Sequence, residues 1–62
     1  MVLTKLADFI KRKELTPERM AEKSKGDFSN MTVRRALNGR GIDRLKAKAI
    51  AKVLGCKLDD LI

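Results

Sequence analysis

Sixty-two residues carrying fifteen Lys+Arg against eight Asp+Glu make a short, strongly basic chain of net charge +7. At that length one small domain, 1–62, is expected, and its stability must come from efficient helix packing, a partner, a metal or disulfides. Cys56 is the only cysteine and there is no histidine, which excludes an internal disulfide and argues against zinc, so neither metal nor cofactor is expected. No apolar run approaches the roughly 20 residues of a membrane span. A free thiol and the lack of a secretory leader pattern fit the cytoplasm.

In chain order, Thr4 is placed to cap a first helix reaching about Lys13, with Leu6, Phe9 and Ile10 inward and Lys11, Arg12 and Lys13 at its cation-favouring end. Thr16-Pro17-Glu18-Arg19 is a helix start: Thr16 caps, Pro17 takes the position where a missing N–H is harmless, and Glu18 meets the positive end. That second helix should reach Ser24 or Lys25 and bury Met20 and Ala21. Lys25-Gly26-Asp27-Phe28 reads as a polar turn with one apolar anchor. Ser29 then caps a third helix from Asn30 to Asn38, with Val33, Ala36 and Leu37 inward and Gly39 at its end.

Asp43 is expected to cap the longest helix, Arg44 to Leu54. Leu45, Ala49, Ile50, Val53 and Leu54 should face inward there, and Arg44, Lys46, Lys48 and Lys52 outward, with Gly55 closing the helix. Leu58 to Ile62 supplies a last helical turn as a lid. Nothing alternates with period two over strand length, so the expected fold is all-α, a compact five-helix bundle.

The charge is uneven. Residues 1–33 hold seven basic and five acidic side chains (+2), whereas 34–62 hold eight basic and three acidic (+5). Such a field on so small a domain points to a polyanion, nucleic acid first. Phe9 and Phe28 are the only aromatics and both suit the core, leaving no platform to stack single-stranded bases. Catalysis is not expected: Ser24 and Ser29 lack an evident base, the carboxylates are scattered, and Asn38-Gly39-Arg40-Gly41 lacks the strand-to-helix setting of a phosphate loop.

Two short helices joined by a turn, the second capped and basic, have the helix-turn-helix layout. The chain here resembles the phage repressor/Cro-like (lambda-repressor-like) family of helix-turn-helix regulators. The likeness is carried by Leu15 to Lys23, by Ser29 to Arg40, and by Ala49-Ile50-Ala51-Lys52-Val53-Leu54-Gly55-Cys56-Lys57-Leu58-Asp59-Asp60-Leu61-Ile62. It departs from the family in a longer Lys25–Phe28 turn and in Pro17, where many members carry a Gln that contacts phosphate and locks onto the reading helix.

The resemblance implies a sequence-specific, double-stranded-DNA-binding transcriptional regulator that occupies a promoter operator, roughly palindromic and bound by a homodimer. It puts base reading on Asn30, Met31, Arg34 and Arg35. Asn suits adenine and Arg suits guanine, while Met31 offers a thymine methyl only apolar contact. Candidates for phosphate are Thr16, Arg19, Thr32, Asn38, Arg40 and Arg44, with Thr32 equally suited to share the Ser29 cap and Asn38 to end the helix. The alternatives are the DNA-binding component of a two-protein module such as an antitoxin, or a small helical domain that binds only protein. No small-molecule substrate and no membrane are expected.

Overall fold

The computed structural model covers Met1–Ile62 and contains four α-helices and no strand. They are α1 (Leu6–Arg12), α2 (Pro17–Ser24), α3 (Asn30–Leu37) and α4 (Arg44–Leu54). The expected fifth helix is instead a single 3₁₀ turn, Leu58–Leu61. Its bonds, Asp60 N–H to Lys57 C=O at 3.0 Å and Ile62 N–H to Asp59 C=O at 3.5 Å, span three residues, and four residues are too few for an α-helix to repay its nucleation. Leu61 is fully buried from this turn, so the lid forms without the helix.

One core serves every element. Leu3, Leu6, Ile10, Met20, Phe28, Val33, Ala36, Ala47, Ile50, Ala51, Leu54 and Leu61 form a single buried cluster. Each large aliphatic member contributes roughly 1.5–3 kcal/mol by leaving water. The molecule measures 23 × 22 × 20 Å, so each helix buries one face and exposes the rest.

The segment ahead of α1 is an anchored strap. Leu3 is buried, the Met1 nitrogen donates to Ile42 C=O at 3.1 Å, Ile42 N–H returns a bond to Met1 C=O at 2.9 Å, and Lys5 N–H reaches Leu61 C=O at 2.8 Å. This docking fixes the helix start at Lys5 and leaves Thr4 exposed without a capping bond, contrary to its expected role.

The α4 face is also rotated from expectation. Ala47, Ile50, Ala51 and Leu54 point inward, Ala49 and Val53 are half-buried, and Leu45 is 81% exposed. Two alanines on the buried side let α4 come close to α2, which a leucine there would hold off. Asp43 stands at the cap position with extended backbone, but its carboxylate makes no capping bond.

Three of the four helices end alike. After α1, α3 and α4 a residue in the left-handed conformation (Glu14, Gly39, Gly55) is followed by an N–H that reaches back five residues: Leu15 to Ile10, Arg40 to Arg35, Cys56 to Ala51. The end of α2 differs. Lys25 and Gly26 both take positive φ, at 56° and 96°, and the Ser24 hydroxyl takes over the stray backbone groups. It donates to Ala21 C=O at 2.7 Å and accepts Phe28 N–H at 3.4 Å. This buried hydroxyl therefore shapes the long turn between α2 and α3.

Two substitutions test these assignments by urea unfolding. Ser24→Ala leaves the buried Phe28 N–H without its partner and should cost about 1–3 kcal/mol. Glu14→Gly removes the left-handed strain of a residue with a Cβ and should raise stability by about 1 kcal/mol, with an unchanged helical spectrum.

Candidate nucleic-acid interface

The α2–α3 pair is built from two matching side-chain caps. Thr16 has extended backbone and its hydroxyl accepts Arg19 N–H at 3.1 Å, with Pro17 beginning the helix. Ser29 repeats the device, accepting Thr32 N–H at 3.4 Å. The caps set where each helix begins, and so which side chains stand on its first turn.

The core then sorts the faces of α3. Thr32, Val33 and Ala36 are buried and Leu37 half-buried. Met31 is 54% exposed, Arg35 is exposed, and Asn30 is half-buried. None of the Asn30, Met31 and Arg35 side chains is engaged in an internal hydrogen bond or ion pair.

Thr32 and Arg34 have other occupations. Thr32 is only 7% exposed and its hydroxyl lies 3.4 Å from that of Ser29, so it serves the cap, the second of the two roles expected for it. Arg34 turns back from α3 and forms a hydrogen-bonded ion pair with Glu18 on the first turn of α2. Both partners are about half exposed. Nothing in the linear order announces this pairing, because the two residues lie sixteen positions apart and Glu18 has a sufficient local role at the positive end of α2. The ion pair supplies a link between the two helices at the place where Pro17 cannot.

The expected phosphate contacts surround α3. Thr16, Arg19, Asn38, Arg40 and Arg44 are all exposed, and none of the four arginine or asparagine side chains among them has an internal partner. A hollow lined by Pro17, Arg34, Leu37 and Asn38 brings the start of α2 beside the end of α3. Asn38 is the C-cap residue of α3, and its N–H bonds back to Arg34 and Arg35 carbonyls while the side chain stays free. A second cleft, between α3 and the start of α4, is lined by Thr32, Arg35, Gly41, Ile42, Asp43 and Lys46. It adds Lys46 to Arg35, a conjunction not evident from the linear order.

The remaining chemistry is sparse. No group of three or more His, Cys, Asp or Glu is placed to hold a metal, and no helix is long and apolar enough to cross a membrane. Cys56 is half-buried, and burial first and the Asp60 carboxylate second push its thiol upward, so it stays neutral at pH 7. Comparison with protein-family models, with curated proteins and with solved structures finds no significant match to this chain.

The Glu18–Arg34 pair carries a pH signature. The hydrogen bond from Arg34, then one from the backbone N–H of Glu18 itself, hold the Glu18 carboxyl below its ordinary value of 4.5. A carboxyl lowered in the folded state contributes stability above its unfolded pKa and loses it as pH falls through the folded one. Wild type should therefore exceed Glu18→Gln by a small, salt-sensitive margin at pH 7. Urea midpoints taken at successive pH values should show that margin vanishing as pH drops below the ordinary carboxylate range.

Proposed function

We propose that this chain is a sequence-specific, double-stranded-DNA-binding transcriptional regulator of the lambda-repressor-like, helix-turn-helix kind, acting by occupying an operator. The observation that carries the reading is the state of α3. A capped helix, held on one face by the core and at its flank by Glu18–Arg34, leaves Asn30, Met31 and Arg35 unpaired on its outer side.

In this reading α3 enters the major groove. Asn30 and Arg35 take adenine and guanine edges in bidentate fashion, and Met31 packs on a thymine methyl. Arg34 acts as a positioning residue through Glu18. Thr16 and Arg19 at the start of α2, with Asn38, Arg40 and Arg44 around the α3 exit, hold phosphates and set the register without reading sequence. Lys46, beside Arg35 in the α3–α4 cleft, strengthens the positive field there.

Binding-site selection from a random duplex pool tests the division of labour. Asn30→Ala and Arg35→Ala should each lose preference at one defined base position, at a cost of about 1–3 kcal/mol for that base. Arg40→Ala should weaken all sequences uniformly and lower the salt slope by about one unit. With six or so phosphates engaged, wild-type affinity should fall on the order of 10³-fold between 50 and 200 mM salt. An affinity insensitive to salt, or a pool without enrichment, would overturn the reading.

A further inference from the structure

Beyond the reading face, α4 carries a second apolar row. Leu45, Ala49 and Val53 recur at every fourth residue, so they stand one above the next along one side of the helix. The core takes Ala47, Ile50, Ala51 and Leu54 and covers this row only in part. Val53 and Ala49 are half-buried at its margin, and Leu45, on the first turn, is 81% exposed. Eight residues of rise make the row about 12 Å long.

The row runs into a hollow of about 410 Å³ between the end of α2 and the second half of α4. Ala49 and Val53 contribute its apolar part, and Lys23, Lys25 and Lys52 stand around it. Lys48 flanks the row as well, one turn from Leu45 and one turn from Lys52. All four lysines are exposed and none is paired with a carboxylate, while Asp27 is the only acidic group at the hollow. The α2 side of the hollow is held in place, because the Ser24 hydroxyl ties Ala21 C=O to Phe28 N–H across Lys25.

We infer that the row and the hollow together form a docking groove for an acidic amphipathic helix of a partner protein. Its aliphatic side chains lie along Leu45, Ala49 and Val53, and its carboxylates meet Lys23, Lys25, Lys48 and Lys52. None of these residues is among the DNA contacts proposed above, so the inference stands apart from that reading.

Charge and shape select this occupant. A second copy of the chain, itself of net charge +7, would bring lysine against lysine. Phosphates of a nucleic acid would satisfy the lysines and gain nothing from the aliphatic row. A bilayer takes an apolar face that stands clear of its polar flanks, whereas Ala49 and Val53 are recessed beside lysines. A helix laid in a groove uses anchors at i, i+3 or i+4, and i+7, which is the length of this row, and flanking glutamates supply the missing negative charge.

The probe is a synthetic helix of about twenty residues, with leucines at i, i+4 and i+7 and glutamates beside them. Titrated into the full chain, it should bind with a Kd below about 1 mM and shift the amide resonances of Lys23–Asp27 and Leu45–Val53. A scrambled peptide of the same composition should show no saturation. Leu45→Gln leaves the core untouched, so its helical spectrum and melting temperature should match wild type, and it should weaken binding on the order of tenfold. Lys52→Glu should weaken it roughly two- to fivefold, and Lys11→Glu, the same change of charge on α1, by clearly less.

Saturable binding of the scrambled peptide, equal losses in Lys11→Glu and Lys52→Glu, or full affinity in Leu45→Gln would each overturn the inference. A dimer in sedimentation that Leu45→Gln abolishes would give the row to a second copy and overturn it too. Binding to phosphatidylglycerol vesicles that depends on Leu45, with none to the peptide, would give the row to a membrane surface with the same result. Each of these outcomes leaves the DNA-binding reading to its own test.

Discussion

The Ser24 hydroxyl is the constraint on which the placement of α3 depends. A helix ending in a polar turn leaves carbonyls and amides that must find partners, and here one buried oxygen satisfies Ala21 C=O and Phe28 N–H together. It binds the last turn of α2 to the far end of the connection, so a turn containing two consecutive left-handed residues adopts one conformation. Phe28 is thereby seated in the core, and Ser29 next to it can cap α3. A longer turn need not be a looser one when its ends share a buried acceptor and donor.

Glu18–Arg34 complements that knot from the other flank of the pair. The turn fixes the C-terminal end of α2 to the start of α3, and the ion pair joins the start of α2 to the middle of α3. Packing of Met20 and Val33 in the common core fills the space between these links. The ion pair is exposed and weak, so it tunes the relation of the helices where the core and the Ser24 hydroxyl establish it. The outer side of α3 is left with no structural duty.

What could be read from the sequence was what is local. Thr16-Pro17, Ser29, Asn38-Gly39 and Gly55 announce helix boundaries through the chemistry of one or two residues, and each boundary stands within one residue of where it is expected, α3 ending at Leu37 with Asn38 as its cap. What could not be read depended on distant partners. Thr4 lost its cap because Leu3 and Lys5 are tied to the core and to Leu61. Leu45 and Ala47 lie on different sides of α4, and alanine alternates through that helix, so hydropathy permits two adjacent faces; close helix approach selects the one with Ala47 and Ala51. In the candidate interface only the resemblance puts Asn30, Met31 and Arg35 on a reading face, and their side chains have no internal partner, whereas Thr32 and Arg34 are engaged by the Ser29 cap and by Glu18 sixteen positions away.

The charge distribution ties stability to the proposed role. Only Arg34, of all the lysines and arginines, is paired with a carboxylate, and the excess of positive charge lies in the second half of the chain. Arg35, Arg40, Arg44 and Lys46 therefore repel one another across a molecule little more than 20 Å wide, a cost borne by a core of twelve residues. Neutralising them internally would take acidic side chains on the same faces, and those would also repel phosphate. A polyanion relieves the repulsion without altering the fold, and whatever binds the folded state alone stabilises it by mass action. The unpaired arginines are thus a burden for the free domain and an attraction for its proposed ligand, through the same electrostatic term with its sign reversed.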